Sequence, residues 1–331
     1  MNEIERRRLS TSERFAKLRE ALANSEKILE QKACVYATGS FGRKESGSSS
    51  DLDLFIVGRS RSMEDGTDRP SLKRLDEICV KADLIYQTRQ MGIPDFDGDG
   101  KYLQHYSVNQ LTRSLGTPED DVTNTFTARL LLLLESSPLI GVSIYEEVIE
   151  SVIGAYWGDY PDHSSDFAPA FLVNDILRLW RTFCVNYEAR TEREPEEKRI
   201  KRKIKNYKLK YSRLMTCYSA LIFLLYVFGE KKTVSPDDAK LMCGMTPTQR
   251  VEHIVKEVSD DRVRETLVEL LRRYETFLMA TSVPEAELIE RFSSSQDGAD
   301  LNKAANSFGD AVFESVSAIG KGGRLHRIIV V

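Results

Sequence analysis

The stretch from Ala33 to Gly58, ACVYATGSFGRKESGSSSDLDLFIVG, limits what this chain can fold into more than any other. An apolar, β-favouring run, Ala33 to Ala37, meets Gly39-Ser40, a glycine- and serine-rich segment follows, and a second apolar run opens with Asp51 and Asp53 two residues apart. Two strands joined by a polar connection are the expected reading. On a strand, residues i and i+2 leave the same face, so Asp51 and Asp53 point one way while Leu52, Leu54 and Ile56 point the other. Adjacent carboxylates repel and raise each other's pKa unless a cation lies between them. A hard divalent ion such as Mg²⁺ takes one or two carboxylates plus phosphate oxygens, and the pair offers that ligand set. Upstream, Gly39-Ser40 permits close backbone approach, and the residues after it can open a helix whose N–H groups face an anion. The two halves of the stretch are expected to meet on one metal-bound triphosphate.

The pattern Gly39-Ser40, ten intervening residues, then Asp51-Leu52-Asp53-Leu54 resembles the signature of the DNA polymerase β-like nucleotidyltransferases. The fuller string, G-S-F-G-R-K-E ending in S-D-L-D-L, is similar to the bacterial branch that holds nitrogen-regulatory uridylyltransferases, small-molecule nucleotidyltransferases and nucleotidyltransferase toxins and antitoxins. The resemblance implies that Gly39 and Ser40 bind the β- and γ-phosphates of a nucleoside triphosphate, that Arg43 supports them, and that Asp51 and Asp53 are catalytic and hold two Mg²⁺ ions. It also implies a third carboxylate on a strand beside the Asp-x-Asp strand. The candidates are Asp95, Asp97 and Asp99; Asp95, between Ile93-Pro94 and Phe96, has the most strand-like context, whereas Asp97-Gly98 and Asp99-Gly100 read as tight turns. The implied reaction moves a nucleoside monophosphate from a triphosphate to a hydroxyl acceptor on protein, RNA or a small molecule, releasing pyrophosphate. The antitoxin-like relatives imply the alternative, a nucleotide-binding regulatory module that does not turn over.

The fold class expected is α+β: an N-terminal nucleotidyltransferase sheet with flanking helices over residues 1–115, then an all-α domain over 116–331 that recognises the acceptor. Phe15, Leu18, Leu22, Ile28 and Leu29 recur at helical spacing after Ser10-Thr11-Ser12. Arg59 to Pro70 reads as a polar surface loop, and Leu72 to Tyr86 as the apolar face of a helix from about Ser71 to Gln90. Ala128 to Glu135 is apolar nearly all round, which predicts a buried helix. Gly141 to Trp157 is another helix, and helices continue from Ala168, with Ser293 to Ala299 as a loop and Gly320 to Val331 as a glycine-rich turn into an apolar end.

Two polar features of the second half invite a role in acceptor binding. Asn174, Arg178 and Arg181 share one face of the helix that starts near Ala168. The run Lys198 to Arg213 holds nine positive residues and no acidic one, with Tyr207 and Tyr211 interleaved, a composition suited to RNA, phosphate chains or an acidic partner. Lys208, Lys210 and Arg213 are the favoured contacts, since the chain there enters a buried helix. Because the net charge is −4, any nucleic-acid surface must be local. The five cysteines are scattered and mostly within apolar runs, which predicts buried thiols in a reducing compartment. The charged start has no apolar signal core, and the strongly apolar run Tyr218 to Phe228 is far shorter than the roughly 20 residues that span a bilayer. A cytoplasmic protein with no membrane association is the expectation.

Overall fold

A computed structural model of the chain describes residues 1–47, 50–62, 68–96, 103–192 and 198–330. Two compact units divide it: Glu5–Gly158, and the chain from Asp159 onward together with Asn2–Ile4.

The first unit is built on a four-stranded sheet of order β5-β2-β1-β6. Its strands are β1 (Ala33–Thr38), β2 (Asp53–Gly58), β5 (His105–Ser107) and β6 (Ser137–Ile140). β1 runs antiparallel to β2 and β6, and β2 runs parallel to β5. β1 is buried along its whole length because both faces of the sheet are covered, so it reads as continuous apolar sequence. On one face Val35, Ala37, Leu54 and Ile56 pack against Phe15 and Leu18 of α1 (Glu3–Ala21), Leu22 just beyond its end, Leu29 of α2 (Ala23–Leu29), and Val80 and Leu84 of α4 (Arg74–Gln90). On the other, Tyr36 stacks on Phe55 with ring centroids 5.6 Å apart, and Tyr106 and Tyr145 close around them. Each fully buried aliphatic or aromatic side chain contributes ~1.5–3 kcal/mol, so the two layers together fix the sheet between helices.

Behind the sheet lie α5 (Val108–Arg113), α6 (Glu119–Val122), α7 (Thr125–Glu135) and α8 (Val142–Tyr156). Almost every residue of α7 is buried, including two charges, Arg129 and Glu135. Arg129 is satisfied by Asp120 at 2.5 and 2.9 Å, by the Tyr156 hydroxyl and by the Leu111 carbonyl, which ties four helices together. The sheet also moves the domain boundary. β6 pairs with β1 through Ala37↔Ser137 and Tyr36↔Pro138, so residues 116–158 belong to the sheet unit and not, as the sequence suggested, to the helical half. The expected polar loop after β2 carries instead a short antiparallel pair, β3 (Ser60–Ser62) with β4 (Asp68–Pro70).

The second unit is helical from α9 (Ala170–Glu192) to α17 (Arg324–Val330). α10 (Arg199–Lys208) passes through a five-residue π-helical segment, Leu209–Arg213, into α11 (Leu214–Lys231), which is buried on most of its surface. This Arg199–Lys231 run is long and apolar enough to cross a membrane by length and composition, where the sequence had promised no such span, but 67% of its apolar window is buried within the protein. Tyr211 stacks on Phe277 and Phe308 at 4.5 and 4.6 Å, and Tyr207 packs against Phe292 at 5.4 Å. Both tyrosines are therefore core residues of this unit. Two segments read as irregular are helical: α16 spans Ser295–Gly320, and the terminal residues form α17.

Candidate active site

The Gly-Ser turn leaves the end of β1 as a single helical turn, α3 (Gly39–Gly42), and both glycines are required by close contacts. Gly39 has φ +64, the left-handed region that costs a side-chain-bearing residue ~1–2 kcal/mol, and a Cβ there would lie 2.8 Å from Asp53 Oδ2. Gly42 has no room at all, since its Cβ would sit 2.0 Å from the Glu135 carbonyl oxygen and 2.7 Å from that of Ala37. The ladder pairs Thr38 with Asp53, which sets the carboxylate directly over the glycine turn.

Asp51 is exposed, Leu52 is 1% exposed and Asp53 is half-buried. That alternation turns both carboxylates away from the core that Leu52 enters. Asp51 precedes the first paired residue of β2. Gly39, Ser40, Asp51 and Asp53 thus gather at one end of the β1–β2 hairpin, with Ser40 partly exposed.

The charged residues around the turn are arranged differently from expectation. Arg43 is 7% exposed, its Nε donates to Glu45 at 2.9 Å and its Nη1 to Glu135 at 2.7 Å. A guanidinium held by two carboxylates in the interior serves as a strut and not as a clamp lying along phosphates. Glu135, at the end of α7, has a side chain with no exposed surface, and its other oxygen accepts the Gly39 N–H at 3.1 Å. This carboxylate was not singled out by sequence reasoning; its signal is a lone acid closing an otherwise apolar helix. It holds the turn from behind and takes up the N–H of Gly39, so Ser40 is the polar residue of the turn offered outward.

The segment after the turn is pinned to α1. Arg7 Nη1 donates to the Glu45 carbonyl at 3.0 Å, Arg14 Nη1 donates to Ser46 Oγ and the Gly47 carbonyl at 3.0 and 2.9 Å, and the Arg14 guanidinium lies 4.4 Å from the Phe41 ring centroid. α1 therefore acts as a splint for the Gly-Ser turn and the residues after it.

The proposed third carboxylate is not found on the neighbouring strand. Asp95 lies in the irregular segment after α4, exposed and held by Arg89 through two contacts of 2.7 and 3.0 Å. The strand that flanks β2 is His105–Ser107, without an acidic residue. Asp97 and Asp99 lie outside the described residues. Among the described residues no cluster of three His, Cys, Asp or Glu side chains is placed to bind a metal ion.

In the second unit the structure separates the three basic candidates. Lys208 is exposed on α10, Lys210 Nζ donates to Asn306 Oδ1 at 3.1 Å, and Arg213 lies 4.9 Å over the Phe183 ring. Tyr207 and Tyr211, at 1% and 2% exposure, cannot serve as stacking platforms for bases. Asn174, Arg178 and Arg181 share an exposed face of α9.

Residues 16–101 match the family model described as a nucleotidyltransferase domain. The matched span holds the Gly-Ser turn and both aspartates but ends before β5, α7 and β6. No curated protein and no solved structure gives a significant match.

Proposed function

Residues 16–101 form a nucleotidyltransferase domain of the polymerase β-like superfamily, and from that premise we propose that the protein transfers a nucleoside monophosphate from a nucleoside triphosphate to a hydroxyl acceptor, with a divalent cation, Mg²⁺ by ligand type, and release of pyrophosphate. The observation that carries this reading is the placement of Asp53 directly over Gly39, in a space where even a Cβ would collide with the carboxylate. A turn stripped to the backbone and a carboxylate at its edge suit a phosphate chain whose charge needs a cation.

The donor set fits a hard cation. Asp51 and Asp53 would hold it, with phosphate and water oxygens completing the shell. When bound, it supplies Lewis-acid stabilisation of charge on the phosphoryl oxygens. The remaining work belongs to the chain itself. Gly39 lets the outer phosphates approach the backbone, Ser40 offers its hydroxyl to them, and the Glu135–Arg43–Glu45 group keeps the turn in register with Asp53. Fixing the triphosphate against Asp53 orients the α-phosphorus for in-line attack by the acceptor hydroxyl. The helical unit, through exposed cations such as Lys208, is the part proposed to recognise that acceptor.

A second reading has one observation behind it. The described part of the strand flanking β2 carries no acid, and Asp95 is bound to Arg89, which favours a module that holds nucleotide without turning it over. One experiment separates the two. Purified protein is incubated with Mg²⁺ and each ribonucleoside triphosphate, with and without cell extract, and pyrophosphate is measured beside calorimetric binding. Turnover that disappears in both Asp51→Asn and Asp53→Asn supports transfer. Saturable binding without pyrophosphate supports the second reading, and neither binding nor release removes both.

A further inference from the structure

On the side of the Gly-Ser turn away from Asp53, a second recess opens in the first unit. It has a volume of about 230 Å³ and is lined by Ser12, Phe15 and Arg19 of α1, by Lys44, and by Ser137 and Pro138 of β6. Its wall is the back of the turn, because Ser137 Oγ donates to the Gly42 carbonyl at 2.8 Å.

The electrostatics of this recess are one-sided. Arg19 Nε and Nη2 donate to the carbonyls of Leu139 and Pro138 at 2.8 and 3.1 Å, neutral acceptors that aim the guanidinium without cancelling its charge. The Lys44 ammonium has no hydrogen-bond or ion-pair partner among the described residues, and no acidic side chain lines the recess. Burial first, and then the positive charges of Arg8 and Arg19, hold the Lys44 ammonium below its ordinary pKa. The backbone points the same way. Lys44 has φ +58, a conformation that glycine or asparagine adopts at lower cost, so a long cationic side chain is kept where local sterics disfavour it. Phe15 and Pro138 give apolar walls, which strengthen any charge pairing made between them.

We propose that this recess is an anion site, distinct from the Asp51–Asp53 edge, that takes one phosphate group, with Lys44 as a point charge and Arg19 as a planar fork. The phosphate could be inorganic phosphate or the end of a phosphomonoester; the recognising chemistry is the same. A bound phosphate would bridge α1 to the residue that follows Arg43, and so would stiffen the turn from the side opposite the aspartates. The proposal does not use the transfer reaction.

The test is titration calorimetry of the full chain at low ionic strength with inorganic phosphate and, separately, with ribose 5-phosphate. The expected result is one saturable site whose affinity falls as salt rises, weakened at least tenfold in Lys44→Gln and in Arg19→Gln, kept in Lys44→Arg, and unchanged in Asp53→Asn. Tighter binding of ribose 5-phosphate would assign the site to phosphomonoesters, and equal binding to the phosphate group alone. Circular dichroism and urea midpoints check folding, and Lys44→Gln decides if Arg19→Gln is destabilised through its contacts with β6. The proposal is overturned if neither compound gives saturable heat, if Lys44→Gln binds as wild type does, or if Asp53→Asn removes the binding while Lys44→Gln does not.

Discussion

The Glu135 carboxylate joins three things the site needs: the end of α7, the Gly39 N–H and the Arg43 guanidinium. Replacing it with glutamine keeps its size and leaves an amide oxygen able to accept from Gly39, but removes the charge facing a guanidinium that is 7% exposed. Breaking a buried pair by deleting one charge costs about 3–5 kcal/mol. The lower end applies, since Arg43 keeps Glu45 at 2.9 Å, so about 3 kcal/mol is expected, or roughly 6–12 °C in Tm for a domain of this size. The chain has two tryptophans, Trp157 in the first unit and Trp180 in the second, so fluorescence in a Trp180→Phe background reports urea unfolding of the sheet unit. Arg43→Met and the double variant complete a cycle. The double variant should recover at least 1 kcal/mol relative to the sum of the singles, since it leaves one fewer unmatched charge. A Glu135→Gln loss below about 1 kcal/mol, or additive singles, would show that the pair does not hold the turn.

The two glycines of the turn should respond differently. Gly42→Ala meets two carbonyl oxygens that cannot withdraw, so it should fold poorly or unfold well below wild type in a melting experiment. Gly39→Ala should fold, with a loss of about 1–2 kcal/mol, yet bind Mg²⁺-nucleotide at least tenfold more weakly by calorimetry, because its Cβ displaces Asp53. At the far end of β2, His105 Nδ1 lies 3.5 Å from Glu77 Oε2, with Lys81 and Arg74 on the other side of that carboxylate. Burial lowers the His105 pKa against the pull of Glu77, so the folded protein favours the neutral ring. Its contribution to stability is complete above the unfolded value of 6.5 and is lost as pH falls below it. Urea unfolding at pH 7.5 and 5.5 should show a larger drop for wild type than for His105→Gln; equal drops would refute the assignment. Lys232 closes α11 at φ 64, and Lys232→Gly should raise the stability of the helical unit by about 0.5–1 kcal/mol, read by thermal unfolding.

What could be read from the sequence lay within one continuous stretch. Gly39, Ser40, Asp51 and Asp53 are brought together by a hairpin, and a hairpin is local enough for spacing to reveal it. Glu135 arrives from the end of a distant helix, and nothing in ARLLLLLE says which strand end it will meet. Arg43 looked available because one of its two carboxylate partners, Glu135, comes from the end of α7, 92 residues away, and the proximity of Glu45 does not by itself show that the two pair. The domain boundary was misplaced for a similar reason: β6 is four residues with a proline, and its only warrant for being a strand is the β1 edge it covers. Tyr207 and Tyr211 read as aromatics set among cations because Phe277, Phe292 and Phe308, which enclose them, come from three other helices. The irregular stretch holding Asp95 gave no periodic signal, and its aspartate is satisfied by the nearest arginine.

The pairing of Thr38 with Asp53 has a broader consequence. The ladder, like the jaws of a caliper, sets the gap between turn and carboxylate without reference to the length of chain joining them. A slip of one residue would send the aspartates into the core and leucines into solvent, so the jaws have one setting. The turn and the carboxylate therefore keep their spacing for as long as the β1–β2 register holds.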